Sequence, residues 1–377
     1  MAAVIYHPAY RDYSFGDDHP FSPLRVDMML DLVESLGHPA DPLAPPPATR
    51  EEILDVHEEY YVRRVEDLSE GRDVPDREDY GLDTPDTPAF PGMDRAARWH
   101  VGGTLHGARL ICGGTARRVL QLGGGLHHAR RNFASGFCVY NDIAIAIRHL
   151  MRQGLWVLYV DVDVHHGDGV QQILDDDRRV MTISLHESGK FLFPGTGEVH
   201  ELGSGVGRGL KLNVPLEPFT EGESYREVFD EVVSAALRYF RPGVLVVQAG
   251  ADAHCDDSLA DLLLTTRDYE AIFRRLLEWA DAFTAGRALF TLGGGYALRS
   301  VPRVWAILYL VMQGLPVPEE LPEAWRRRWN AVLGERPPDG LHDPAASHPD
   351  VPRREEISRR NRQTARRLLD AASPYWL

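Results

Sequence analysis

Lysine is almost missing from this 377-residue chain: Lys190 and Lys211 are the only two, and arginine supplies the rest of 41 basic residues against 56 acidic ones. The formal charge of -15 leaves no broad cationic surface for a phosphate backbone, so nucleic acid is not an expected partner. Cysteine is scarce as well. Cys112, Cys138 and Cys255 are odd in number and lack C-x-x-C spacing, which excludes a disulfide scaffold and suits a reducing cytoplasm. Long apolar runs are also absent. "VWAILYLVM", from Val304, falls far short of the ~20 residues that cross a bilayer, and "MAAVIYHPAY" lacks the basic and apolar regions of an export signal. The expectation is a soluble, cytoplasmic protein without membrane contact.

What the chain does have is enough apolar residue, 44%, to bury a sizeable core, and one domain over residues 1–377 is expected. Short apolar runs ("RVLQL", "LWVLYV", "RVMTISL", "VLVVQ", "ALFTL") each end in glycine or charge and read as strands. Helical patterns alternate with them: about Asn141 to Gln153, Thr220 to Phe240 with Thr220 and Glu223 as a capping box, and Thr266 to Ala285. That alternation predicts an α/β fold with a mainly parallel sheet covered on both faces and ligands beyond the strands' carboxyl ends. "DPLAPPPATR" reads as a rigid connector to a helix capped by Thr49 and Glu52. Tyr80 to Met93 is a proline-rich loop long enough to form a functional rim. From about 335 a linker leads to a basic amphipathic helix, expected to dock on its own domain or stay solvated.

The chemistry concentrates at strand ends. In "VLYVDVDVHHGDGV", strand alternation would turn Asp161, Asp163 and His165 to one side. Carboxylates so close need a cation, and an Asp/His cluster suits a divalent metal. Asp252, in "VVQAGADAHCDD", supplies a third ligand after another apolar strand; His254, two residues on, reads as structural. "LGGGLHHA" adds His127 and His128, which Asp161 and Asp168 can orient for acid and base work. "TLGGGYAL" adds Tyr296, whose phenol can support an oxyanion.

Together "GGGLHHA", "GFCVYND", "DVDVHHGDGV", "SLHESGKFLFPGTGE", "QAGADAH" and "LGGGY" resemble, in order and spacing, the zinc-dependent histone deacetylase superfamily over about residues 4 to 315. "DTPAFPGM" and "GADAHCDD" further resemble its class I-like bacterial acetoin-utilisation-type deacetylases. The resemblance implies a three-layer arginase-like fold whose central, mainly parallel sheet has about eight strands. It makes Asp163, His165 and Asp252 zinc ligands, pairs His127 with Asp161 and His128 with Asp168, and gives Tyr296 the acyl oxygen. It places Gly136, Phe137, Phe193 and Leu259 on the wall of an acyl-lysine tunnel and Arg25 beneath the metal. It also implies a rim aspartate, Asp86 in preference to Asp83, and a structural potassium on main-chain oxygens of Asp161, Asp163 and His165 with Ser184 and Leu185.

The implied activity is metal-assisted removal of acetyl groups from lysine side chains of proteins. Two oxygen ligands make the site hard enough for Fe(II) as well as zinc. Small acetylated polyamines are the near alternative substrate. An arginase-like two-metal hydrolase would need a second ligand set, and a non-catalytic acetyl-lysine binder would have lost a ligand, a histidine or Tyr296. None is missing.

Overall fold

The computed structural model describes residues 2–333, 338–345, 347–348 and 350–376. Residues 334–337, 346 and 349 of the expected C-terminal linker lie outside these. Among the described residues seven strands form one parallel sheet: β1 (Ala3–Ile5), β2 (Arg118–Gln121), β3 (Val157–Asp161), β4 (Val180–Glu187), β5 (Lys211–Leu216), β6 (Val244–Gln248) and β7 (Ala288–Thr291). Their order is β1-β2-β7-β6-β3-β4-β5, one strand fewer than the eight expected. The two that pattern reading missed are the sheet's edges. β1 is too short to show a period, and β5 carries Pro215, tolerated because an edge strand has a side without partners.

Side chains alternate across β3: Leu158 and Val160 enter one core, Val157 and Tyr159 the other. The first core takes in the Gly222–Phe240, Thr266–Phe283 and Val301–Gln313 helices, and the second takes in Met93–Cys112 and Asp142–Arg152. This gives the three expected layers. The apolar run from Val304 is the middle of the Val301–Gln313 helix, buried on nearly every side, as an all-round apolar helix must be. No described helix is long and apolar enough to cross a membrane.

One cap differs from expectation. The helix placed at Thr220 starts at Gly222 without a side-chain cap, because the Thr220 hydroxyl is spent on the Glu217 carbonyl at 2.5 Å. The Thr49 and Glu52 capping box forms as expected. The C-terminal basic pattern is the Arg354–Ala372 helix, and it docks: Ala365, Leu368 and Ala372 join the first core. Fully buried Asn361 accepts the Glu217 N–H at 3.0 Å and donates to Thr220 at 2.8 Å and Ser224 at 3.0 Å. Asn361→Ala leaves those groups unpaired, and a loss of about 1–3 kcal/mol is expected in urea unfolding. An unchanged midpoint would show that this anchor adds nothing to docking.

Topology selects the site. After β3 the chain runs outward to β5 and then returns to β6, on the other side of β3. The strand order therefore reverses between β3 and β6, and a crevice beyond their carboxyl ends is where such sheets bind ligands.

Candidate active site

Asp163 and His165 follow β3 and Asp252 follows β6, so the crossover brings them together. One ligand atom from each lies within 4.8 Å of the others. β3 ends at Asp161, so a turn rather than continued strand alternation presents Asp163 and His165. His165 Nδ1 sits 3.1 Å from Asp163 Oδ1 and 3.2 Å from Asp252 Oδ2.

Burial tests whether these residues fit a cation. Asp163 and Asp252 are 1% and 0% exposed, and two adjacent dry carboxylates cannot both stay ionised uncompensated. Burial and the Asp163 charge push Asp252 up to about 7. Burial opposes charge on His165 too, but the two carboxylates lift it to about 10. That rise marks a strongly negative site, the potential that a cation would meet. Two oxygens and one nitrogen, with a position left open, suit a catalytic divalent metal. The remaining acceptors are held in place: Asp163 Oδ2 accepts from Gln248 Nε2 at 2.6 Å and from Gly294 N at 2.9 Å, and Asp252 Oδ1 accepts from Val164 N at 2.8 Å. Such outer bonds orient ligands. Gly294 has no alternative, because a Cβ there would lie 2.0 Å from Asp252 Oδ2.

Beside this cluster stand two histidine and carboxylate pairs. His127 Nδ1 is 2.8 Å from Asp161 and His128 Nδ1 is 2.7 Å from Asp168; a carboxylate only accepts, so each ring donates from Nδ1. Their electrostatics differ. Burial opposes charge on His127, yet Asp161 and Asp163 raise it to about 9 before any cation's charge is added. Burial, then the neighbouring His127, lowers His128 to about 4. Asp168 is held at about 2 against burial by the hydrogen bond from His128 and by Arg130, whose Nη2 donates at 2.8 Å. A neutral imidazole still makes that hydrogen bond.

Tyr296 faces the same cleft, lined by His127, His128, Gly136, Phe137, Asp163 and Tyr296, among others. Its ring meets Phe137 edge-on at 5.6 Å, and its N–H donates to Asp257 at 2.7 Å. Burial and the Asp252 and Asp163 charges push its phenol well above 10, leaving a neutral donor. Phe193 packs edge-on against His128 at 5.0 Å. Gly136 crosses so close that a Cβ would lie 2.2 Å from His128. Arg25 donates to the carbonyls of Gly293 at 3.1 Å and Gly295 at 2.7 Å, below Tyr296. Leu259 is tied to Tyr296 through Asp257, which also accepts the Leu259 N–H at 3.0 Å.

The two rim aspartates separate. Asp86 accepts the Gly136 N–H at 2.7 Å, at the cleft wall, whereas Asp83 is taken by Arg77 at 2.7 Å and the Ala89 N–H at 3.3 Å. His254 pairs with Asp343 at 2.9 Å and accepts the Asp256 N–H, a structural contact. Asp161 and Asp168, which a second metal would need, are committed to the histidines. Sequence reading missed Gln248, Asp257, Arg130, Tyr159 and Asp142. Tyr159 donates to Asp161 at 2.6 Å, and Asp142 accepts the Gly125 and Leu126 N–H groups at 3.1 and 2.8 Å, pinning the turn before His127. The available signal was a polar residue closing an apolar strand, as Gln248 does.

Known proteins identify the family. The chain is 41% identical over 375 residues to the acetoin utilization protein AcuC of Bacillus subtilis (strain 168), covering 98% of this chain and 97% of that protein. The AcuC of Staphylococcus xylosus is 35% identical over 371 residues, covering 97% and 96%. The crystal structure of an HDAC homolog from Aquifex aeolicus superposes with a TM-score of 0.86 at 26% identity, covering 96% of this chain and 99% of that one. The sequence model of the histone deacetylase domain matches residues 19–312, a span that holds Asp163, His165 and Asp252, both histidine pairs and Tyr296. On that ground the chain belongs to the histone deacetylase family, enzymes that hydrolyse acetylated substrates.

Proposed function

We propose that this cleft removes acetyl groups from lysine side chains of cytoplasmic proteins, within a single domain, using zinc held by Asp163, His165 and Asp252. The observation that carries the reading is the meeting of that candidate ligand set with two carboxylate-paired histidines and a phenol in one cleft. When bound, the cation supplies Lewis acidity, polarising the acyl oxygen and acidifying a water. His128, uncharged at neutral pH and fixed by Asp168, takes the water's proton and returns it to the leaving amine. His127, hydrogen-bonded to Asp161, gives electrostatic support to the negative charge that develops. The Tyr296 O–H donates to the acyl oxygen as it gains charge.

Gly136, Phe137, Phe193 and Leu259 wall an uncharged alkyl stem, Asp86 accepts a substrate backbone N–H at the rim, and Arg25 takes the departing acetate. The oxygen-rich ligand set also accommodates Fe(II). A potassium ion on main-chain oxygens of Asp161, Asp163, His165, Ser184 and Leu185 braces the turn; support comes from the β3 and β4 register, which sets Asp161 opposite Ser184.

The test is kcat/KM of zinc-loaded protein for an acetyl-lysine peptide against N-acetylputrescine. The peptide is expected to be preferred. A clear preference for the polyamine would overturn the substrate, and binding of acetylated ligands without turnover would overturn the chemistry.

A further inference from the structure

Outside the cleft lies a mainly apolar pocket of about 620 Å³ lined by Phe191, Phe219, Leu263, Val351, Ile357 and others. Phe191 and Phe219 are 65% and 50% exposed, large rings whose exposure costs free energy unless something covers them. One wall is the start of the Arg354–Ala372 helix, anchored through Asn361. The pocket rim carries Glu217, Glu356 and Asp350 against Arg353 and Arg360. Glu217 pairs with Arg360 at 3.1 Å and Glu356 with Arg353 at 2.8 Å, so little net charge remains and the floor selects an apolar occupant.

Two of its residues lie close in sequence to residues proposed for the cleft wall. Phe191 lies two residues before Phe193 on one loop, which places their backbones at most about 7 Å apart. Leu263 shares a loop with Leu259. In an extended polypeptide, side chains two residues apart point the same way at about that spacing. A polypeptide whose acyl-lysine enters beside Phe193 thus directs the side chain two positions away at Phe191 and the pocket. An acetylated diamine ends inside the cleft and reaches none of it.

Resting on the deacetylase reading above, we infer that this pocket is a substrate subsite that takes an apolar side chain two residues from the acyl-lysine of an extended polypeptide. The enzyme then selects apolar sequence context rather than any acetylated amine.

The experiment uses two blocked acetyl-lysine peptides that differ only in leucine or serine at the positions two residues to either side. The readout is the ratio of their kcat/KM values, which does not depend on the active fraction of any variant. For the unmodified protein the leucine peptide is expected to be favoured about tenfold. Phe219→Asn, chosen because asparagine tolerates the positive φ of 63° there, and separately Ile357→Ala, are expected to bring the ratio below about threefold. A ratio near one in the unmodified protein, or an undiminished ratio in both variants, overturns the subsite while leaving the deacetylase reading standing. Turnover of neither peptide overturns both. A dimer in light scattering that Phe219→Asn converts to monomer assigns the face to a second copy instead.

Discussion

Asp163→Ala is expected to strip the protein of its divalent metal and to abolish deacetylation. Asp163 is one of the three clustered residues proposed to hold the metal, and losing even a residue that only supports a ligand costs about 10–100-fold in affinity or activity. The alanine variant also leaves Gln248 Nε2, Gly294 N and His165 N without the acceptor they share. Each such orphan costs about 1–3 kcal/mol, so a less stable protein is expected as well. Asp163→Asn is the milder variant, because its single amide oxygen can keep the bonds from Gln248 and Gly294 while its NH2 replaces the oxygen that accepts from His165 N. The metal-free asparagine variant is therefore expected to lose less stability than the alanine variant. Added zinc should raise the parent's Tm, since a ligand that binds only the folded state stabilises it, and should leave the variant's Tm unmoved. An Asp163→Asn protein that keeps one zinc per chain after dialysis would remove Asp163 from the ligand set.

Which of these groups could be read in advance depends on how far each acts along the chain. Asp161, Asp163 and His165 lie within five residues, and their density after an apolar strand is visible without any fold. Asp252 was legible for a related reason: in a parallel sheet every strand delivers its carboxyl end to the same edge. The strand order was not legible. Nothing local says that β6 lies beside β3, yet that adjacency pairs Asp161 with Gln248 in register and sets the Gln248 amide on Asp163. Asp257 and Asp142 were hidden in the same way, since both act on backbone N–H groups of distant turns. Asp83 and Asp86 share the same following Thr-Pro, so only geometry separates the one used to fold the loop from the one at the cleft wall. The Thr220 cap failed because its hydroxyl donates to the Glu217 carbonyl and also accepts from Asn361, which lies 141 residues away.

Tyr296→Phe is expected to lower kcat by about 10²–10³-fold, the loss seen when one donor to a developing oxyanion is removed, with metal content unchanged. The ring stays: phenylalanine keeps the edge-on contact with Phe137, and the Tyr296 N–H bond to Asp257 belongs to the backbone. Only the O–H is lost. That group is a donor at neutral pH because burial and two nearby carboxylates hold the phenol well above 10. It acts on the acyl oxygen most strongly when that oxygen carries charge, so the loss should fall on kcat while KM moves little. The metal and the two histidine pairs remain to supply the residual rate. A fall in kcat that came with lost zinc would make Tyr296 a support for the ligands, and an unchanged kcat would remove it from the reaction.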